Sequence, residues 1–143
     1  MIYFLGTLMT ITCKKVSIPQ RAQHTADLFG IRFPLNMEPA IYSIAGRFAP
    51  EYQGAYWAFY SLSNGGFYMA PGTDEPYHVN CENGFEGKLS ADALGIVACL
   101  YAYSHLSFSD HEGFAATCAN HYHWLRAFML EHKEARHILK AID

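Results

Sequence analysis

Residues 56–69 read YWAFYSLSNGGFYM, and this stretch decides the fold. Two runs rich in aromatic residues flank Ser63-Asn64-Gly65-Gly66, a cluster of residues that favour turns. Aromatic side chains are enriched in strands, and a glycine-rich turn between two such runs is typical of a β-hairpin. We therefore predict an antiparallel hairpin at the centre of the chain.

A second hairpin is predicted after the loop at residues 71–76. Residues 77–82 alternate between apolar and polar side chains, which is the pattern of a half-buried strand. Asn83-Gly84 is a type I′ turn signal, and Phe85 and Leu89 alternate with charged residues on the return strand. Together the two hairpins predict a four-stranded antiparallel meander in the middle of the chain.

Two helices are predicted before the meander. Residues 17–20 (SIPQ) combine a hydroxyl cap, an early proline and a glutamine three residues on, which are features of a helix start. This helix is expected to end at Gly30, because glycine readily adopts the backbone conformation that terminates helices. Apolar residues at helical spacing predict a second helix between Pro39 and Pro50.

The chain after the meander is predicted to be helical. Ser90 can cap a long, nearly uncharged helix, and Ser109-Asp110-His111-Glu112 has the form of a capping box that opens another. The expected buried residues of this second helix are Phe114, Cys118, Tyr122, Leu125 and Met129. With a short helix at the C-terminal end, the fold class is α+β: a small antiparallel β-meander of three to four strands packed with about four to five α-helices.

The N-terminal residues 1–16 form an apolar extension, and residues 17–143 are expected to form a single domain. The apolar run from Met1 to Cys13 is shorter than the roughly 20 residues that span a bilayer, and its lysines follow it rather than precede it. We therefore expect no membrane insertion and no export, hence a cytoplasmic protein. The extension is expected to be an added edge strand or a loosely held tail.

Charge and cysteine content exclude two further classes of protein. The chain has 10 basic and 13 acidic residues, a net charge of -3 and a pI near 6.2, which excludes a strongly basic nucleic-acid module. Its four cysteines contain no C-x-x-C pair, so a zinc ribbon and a thioredoxin motif are absent. We expect reduced, mostly buried thiols.

Neither a metal site nor a catalytic nucleophile is indicated. His121 and His123 are two residues apart, and His132 and His137 are five apart, whereas a helical zinc pair requires a spacing of four. No G-x-S-x-G elbow is present. We therefore expect no catalytic residues and no metal, with the histidines on the surface or hydrogen-bonded.

Four blocks of the chain resemble one known family. Residues 52–71 (YQGAYWAFYSLSNGGFYMAP), 89–97 (LSADALGIV), 121–128 (HYHWLRAF) and 141–143 (AID) are similar to the ArdB/KlcA antirestriction proteins, and the similarity covers residues 18–143. The resemblance implies a compact α+β protein of plasmids and other mobile elements. It also implies protection of incoming DNA from host type I restriction–modification, without catalysis and without a cofactor.

One route to antirestriction is imitation of DNA by a row of carboxylates. A globule of this size has a diameter of roughly 35–40 Å. Duplex DNA of that length carries about 20 charges. Because the chain has only 13 acidic residues and a net charge of -3, the charge excludes DNA mimicry.

The remaining route is contact with a protein, either the type I restriction–modification complex or a factor that restriction requires. An aromatic content of 15% supports an apolar contact patch, because Tyr, Trp and Arg are favoured at interfaces. The alternative is a small module that stacks single-stranded nucleic acid on an aromatic sheet surface. The candidate partner-binding residues are Tyr52, Trp57, Tyr60, Asn64, Trp124, Arg126 and Asp143.

Overall fold

The computed structural model describes residues 10–143 and has an α+β fold, as predicted. The five helices are α1 (Arg21–Phe29), α2 (Glu38–Phe48), α3 (Ala91–Leu106), α4 (Glu112–Met129) and α5 (Ala135–Ile142). The five strands are β1 (Cys13–Lys15), β2 (Trp57–Leu62), β3 (Phe67–Pro71), β4 (Tyr77–Asn80) and β5 (Glu86–Leu89). The strands form one antiparallel sheet in the order β1-β2-β3 and a separate β4-β5 hairpin.

The first helix begins and ends near the predicted residues. A single 3-10 turn at Ile18–Gln20 leads into α1, and the Ser17 side chain makes no capping hydrogen bond. Gly30 ends the helix with a φ of 62°, a conformation that favours glycine. A π-helical turn, Phe33–Met37, then joins α1 to α2, and no sequence pattern predicted it.

The central hairpin is confirmed, and β1 adds to its outer edge. Strands β2 and β3 pair with Phe59 opposite Met69 and Tyr60 opposite Tyr68. Strand β1 pairs with β2, so the expected edge strand lies at Cys13–Lys15. The remainder of the N-terminal prediction, residues 1–9, lies outside the described residues.

The prediction of one four-stranded meander is wrong, because α3 occupies the edge of β3 where a fourth strand would pair. The Tyr103 hydroxyl donates a hydrogen bond to the Phe67 carbonyl over 2.6 Å, and the Cys99 thiol lies 3.5 Å from the Met69 nitrogen. These side chains satisfy backbone groups of β3 that a strand would otherwise bind. The second hairpin, β4-β5, therefore forms its own sheet.

Helix α3 is the centre of the core. Eleven of its sixteen residues are buried, so it is apolar on nearly every face, as its sequence predicted. The predicted cap is confirmed, because the Ser90 hydroxyl accepts a hydrogen bond from the Ala93 nitrogen at 3.1 Å. A glycine at position 95 allows the helix to lie directly against Ala70 of β3.

The capping box predicted for α4 does not form. The helix begins at Glu112, and the Ser109 hydroxyl instead accepts a hydrogen bond from the His111 nitrogen before the helix starts. His121, rather than the predicted Tyr122, is buried on its inner face. The other four predicted residues are buried as expected, and His121 lies on the same face, three residues after Cys118, with the rings of Phe29 and Tyr103 against it.

Two further findings concern the chain as a whole. The cysteines at 13, 81, 99 and 118 are unpaired, and all except Cys13 are buried, which confirms the prediction of reduced thiols. Within residues 10–143, no helix combines the length and the apolar character needed to span a bilayer.

Candidate interaction surface

The seven candidate residues do not form one patch. Asn64 and Trp124 meet where the β2-β3 hairpin contacts α4, and Tyr60 reaches the same helix through the rings of Tyr68 and Phe128; we call this region the hairpin–α4 contact. Tyr52 and Trp57 pair with each other, and within residues 10–143 neither forms a side-chain hydrogen bond or a ring contact with the other three. Among the described residues, the Arg126 and Asp143 side chains form no hydrogen bond or ion pair with either group.

Asn64 joins the hairpin turn to α4. Its amide nitrogen donates a hydrogen bond to the Trp124 carbonyl at 2.9 Å, and its amide oxygen accepts one from the Gly66 nitrogen at 3.1 Å. A side chain on Gly66 would lie 3.0 Å from the Trp124 Cβ atom, so the turn and the helix are in close contact. Asn64 therefore has a structural role in the described fold.

Three rings stack across the same contact. Tyr60 and Tyr68 are cross-strand neighbours whose ring centres are 4.8 Å apart, and Phe128 stacks on Tyr68 at 5.8 Å. Burial raises the pKa of Tyr68, and the Asp92 carboxylate raises it further. The Tyr68 hydroxyl therefore stays protonated and donates to Asp92 over 2.7 Å.

Asp92 belongs to a polar network at the start of α3. His132 Nε2 lies 2.9 Å from Asp92 Oδ2, and His132 Nδ1 accepts a hydrogen bond from the Glu134 nitrogen. Because Nδ1 accepts, the ring proton is on Nε2 and points to Asp92. The Glu134 carboxylate in turn accepts hydrogen bonds from the backbone nitrogen and the hydroxyl of Ser90.

Asp92, His132 and Ser90 are residue types found in catalytic triads. In this arrangement, however, His132 cannot activate the Ser90 hydroxyl as a nucleophile. Both nitrogens of His132 are engaged, so no ring nitrogen is left to accept a proton from a hydroxyl. The Ser90 hydroxyl faces a carboxylate and also caps α3. The network therefore holds the segment after α4 against the first turn of α3.

Trp57 is buried, with only 3% of its surface exposed. Its ring nitrogen donates a hydrogen bond to the Tyr52 hydroxyl at 2.9 Å, and the edge of the Tyr42 ring packs against it at 5.2 Å. Tyr52 is half-buried beside it. Trp57 is therefore a core residue. Of this pair, only Tyr52 reaches the surface.

Arg126 and Asp143 are the remaining candidates. Arg126 is half-buried on α4, two residues after Trp124 and therefore on a different face of the helix. It makes no ion pair or side-chain hydrogen bond with any residue between positions 10 and 143. Asp143 is exposed, and its backbone nitrogen donates to the Leu139 carbonyl at the end of α5.

The buried thiols and His121 do not provide reactive groups. Burial raises the pKa of Cys81 to about 11 and those of Cys99 and Cys118 to about 12, which keeps these thiols protonated. Burial, helped by the nearby His24, lowers the pKa of His121 to about 4. No three potential metal ligands come together within the described part of the chain.

Sequence reasoning missed an apolar groove between α1 and the π-helical turn, which we call the α1 groove. It encloses about 530 Å³, and its lining residues are Arg21, Ala22, Thr25, Ala26, Gly30, Ile31, Phe33, Pro34, Glu38 and Phe59. The available signal was the alternation of apolar residues at 31, 33, 35 and 37. In a helical segment such a pattern cannot bury all four side chains on one face, and in the structure only Phe33 and Met37 are buried. Ile31 and Leu35 stay exposed.

A second groove, between α2 and α3, has a different charge pattern. It encloses about 610 Å³, and Arg47 and Glu82 lie on its walls with Phe108 exposed at one end. The Arg47 guanidinium lies 3.8 Å from the Glu82 carboxylate, so these two charges compensate each other. We call it the α2–α3 groove.

Comparison with known proteins identifies the family. A family model described as antirestriction protein matches residues 50–143. Two proteins from Escherichia coli named antirestriction protein KlcA are similar to the chain. One is 41% identical over 136 residues, covering 93% of this chain and 95% of the relative, and the other is 46% identical over 112 residues, covering 76% of each. The uncharacterized protein YafX of Escherichia coli K12 is 41% identical over 137 residues, covering 93% of this chain and 88% of that protein.

A solved structure has the same fold. It superposes with a TM-score of 0.87 at 40% sequence identity and covers 94% of this chain and 96% of its own. It is described as showing that KlcA and ArdB have a novel fold and antirestriction activity against type I DNA restriction systems in vivo but not in vitro. With the family model matching most of the chain and a relative aligned over nearly its whole length, this chain belongs to the antirestriction protein family.

Proposed function

We propose that this protein protects incoming mobile DNA by contacting a polypeptide that host type I restriction requires, without catalysis and without imitating DNA. The polypeptide is either a subunit of the restriction–modification complex or a further factor in the cytoplasm. The family supports the antirestriction role. The placement of the carboxylates supports the mechanism.

The carboxylates are too few and too engaged to imitate a phosphate backbone. Seven of the thirteen form hydrogen bonds or ion pairs within the molecule: Asp27, Glu38, Glu51, Glu82, Glu86, Asp92 and Glu134. Duplex DNA as long as the protein would carry about 20 charges. The six remaining carboxylates supply less than a third of that number, and the net charge of -3 is lower still.

The behaviour described for KlcA and ArdB supports a polypeptide target that purified reactions lack. Those proteins act against type I systems in vivo but not in vitro. A direct mimic of DNA would inhibit a purified restriction enzyme, because it would occupy the DNA-binding channel itself. For this chain we therefore favour a cellular factor over the isolated enzyme as the contact.

The alternative, stacking of single-stranded nucleic acid on the sheet, has less support. Phe59, Phe67 and Tyr68 are buried, so these rings do not present a platform for bases. Lys14, Lys15 and Lys88 are the exposed lysines on described strands. The sheet therefore offers few exposed rings for base stacking and few cations for the phosphate groups.

Charge neutralisation in cells tests the mechanism. The variant Asp74→Asn, Glu75→Gln, Asp110→Asn and Glu131→Gln removes four exposed carboxylates that have no side-chain partner in residues 10–143, and it changes the net charge from -3 to +1. We expect protection of unmodified phage or plasmid DNA to stay near the wild-type level, with an unchanged Tm. Loss of protection at an unchanged Tm would refute polypeptide contact and favour mimicry.

A matched control changes the charge in the other direction. The variant Lys14→Gln, Lys15→Gln, Lys88→Gln and Lys133→Gln alters four exposed lysines and takes the net charge to -7. Mimicry predicts stronger protection by this variant, because it approaches the charge of DNA. Our proposal predicts no gain.

A further inference from the structure

We propose that the α1 groove binds a segment of the partner polypeptide in which a carboxylate lies between apolar side chains. This inference rests on the proposed function and specifies which surface performs it. Three observations support it: the exposed apolar walls of the groove, an arginine without a carboxylate partner, and the contrast with the α2–α3 groove.

The walls of the groove expose large apolar side chains. Ile31, which lines the groove, is 67% exposed, and Tyr56, which lies outside the lining but contacts Arg21, is 51% exposed. Ile18 and Leu35, on the adjoining turns, are also exposed. Single exposed apolar residues are ordinary on a protein surface, whereas a group of them around a groove marks a contact site. The volume of about 530 Å³ is enough for several side chains of a bound segment.

Arg21 places a positive charge against these apolar walls. Its guanidinium lies 4.4 Å from the ring centre of Phe59 and 4.9 Å from that of Tyr56, and Nη2 donates to the Tyr56 hydroxyl at 2.5 Å. Its Nε is buried and has no acceptor among residues 10–143. No carboxylate in that range lies within 4.0 Å of the guanidinium.

The chemistry of Arg21 selects a carboxylate. A guanidinium held on aromatic rings is weakly hydrated and presents planar donors that match a carboxylate. Glu38, the other charged residue that lines the groove, is engaged by the Tyr42 hydroxyl at 3.0 Å. Asp27, on the same helix as Arg21, is engaged by Gln23. Glu38 remains charged, but it forms no ion pair with Arg21, so the groove combines apolar walls with an arginine that has no carboxylate within 4.0 Å among the described residues.

A polypeptide fits this combination better than a nucleic acid does. A phosphate backbone would need several cations along its path, and Arg21 is the only cation that lines the groove in the described structure. Arg and Tyr beside aliphatic side chains are typical of the energetically dominant centre of protein interfaces. In the α2–α3 groove, Glu82 already compensates Arg47, so no such charge is offered there.

Charge substitution inside the α1 groove provides the test. Ala26 is exposed on α1 and lines the groove, so it accepts either Glu or Lys without loss of a core contact. We expect Ala26→Glu to reduce protection in cells by at least about tenfold, because it repels an acidic segment and pairs with Arg21. Ala26→Lys, of similar length, should retain several-fold more protection. Equal effects of Glu and Lys, or no effect of either, would overturn the inference.

The matched control lies in the other groove. Ser43 is exposed and lines the α2–α3 groove, so Ser43→Glu and Ser43→Lys should both protect like the wild type, with a Tm equal to that of the Ala26 variants. If the Ser43 pair shows the Glu-specific loss and the Ala26 pair does not, the inference fails while the proposed function stands. Failure of the proposed function would instead appear as loss of protection in the carboxylate-neutralised variant.

Photo-crosslinking identifies the occupant. A benzoylphenylalanine placed at Ile31 in the full chain should crosslink in restricting cells to a polypeptide with an Asp or Glu within about four residues of the attachment, since four residues span at most about 14 Å even when extended. Crosslinks to nucleic acid, to a second copy of this chain, or to a segment without acidic residues would each contradict the inference.

Discussion

The contact between α3 and β3 predicts that Gly95→Ala is strongly destabilising. An ideal Cβ atom at position 95 would lie 2.3 Å from the Cβ of Ala70 and 2.4 Å from the carbonyl oxygen of Met69. Non-bonded carbon atoms are ordinarily about 3.5–4.0 Å apart. The helix must therefore retreat from the strand by more than an ångström, because backbone, not a flexible side chain, opposes the methyl group.

The cost combines two unfavourable effects and one favourable effect. Overpacking of a core typically costs about 1–3 kcal/mol. Retreat of α3 also stretches the hydrogen bond from Tyr103 to Phe67, and an unsatisfied buried group costs about 1–3 kcal/mol. Alanine in a helix gains about 1 kcal/mol over glycine. The expected loss is thus about 1–5 kcal/mol of unfolding free energy, and its midpoint corresponds to roughly 10 °C in Tm for a chain of this size.

Chemical denaturation and thermal melting of both variants measure this loss. Gly46 in α2 is the matched control, because a Cβ there meets no atom within 4 Å. We expect Gly46→Ala to stabilise the protein by up to about 1 kcal/mol through helix propensity alone. If Gly95→Ala behaves like Gly46→Ala, the reasoning about the α3–β3 contact is refuted.

Three further predictions concern polar side chains that are buried or half-buried. Burial lowers the pKa of His121 from 6.5 to about 4. Between pH 6.5 and pH 4 the unfolded chain therefore binds more protons than the folded chain. The free energy of unfolding should fall by about 3 kcal/mol as the pH drops through this range. His121→Phe should remove this part of the pH dependence in urea titrations at pH 7 and pH 4.5, and an unchanged slope would contradict it. Asn64→Ala should cost about 1–2 kcal/mol, because two hydrogen bonds are lost, and Asn64→Asp should not recover this loss, because its carboxylate keeps the acceptor for Gly66 but faces the Trp124 carbonyl oxygen without a proton to donate. Tyr103→Phe should cost about 1–3 kcal/mol by leaving the Phe67 carbonyl unpaired, and an unchanged Tm would show that another group satisfies it.

Most of the helices and strands could be predicted, because the residues that specify them lie within the element or next to it in sequence. The hairpin at residues 57–71 follows from aromatic runs around a glycine turn, and the cap of α3 follows from Ser90. The end of α1 follows from Gly30, whereas residues 18–20 form a 3-10 turn before the helix and the Ser17 side chain makes no cap. Each of these signals acts within a few residues and needs no tertiary partner.

Pairing between distant elements could not be predicted in the same way. The four-stranded meander required β4 to pair with β3, and only the three-dimensional position of α3 shows that this edge is occupied. The capping box at Ser109 was locally plausible, but the helix begins at Glu112. Helix starts depend on where a helix meets its neighbours as well as on the cap.

The candidate site was predicted only in part, for a related reason. Aromatic content indicated Trp57 and Trp124, but residue type does not distinguish a core ring from a surface ring, and Trp57 is buried. Arg21 was not selected, because nothing in the neighbouring sequence indicates that Tyr56 and Phe59 will lie beneath its guanidinium. A contact between residues 35 or more positions apart exists only in the folded chain.

The target of the protein is tested most directly by reconstitution with cell extract. Purified type I restriction enzyme and unmodified DNA are incubated with this protein, with and without extract from restricting cells. We predict that inhibition of cleavage requires the extract, is abolished when the extract is treated with protease, survives treatment with nuclease and is not relieved by excess duplex oligonucleotide. Inhibition of the enzyme alone that duplex DNA relieves would contradict the account.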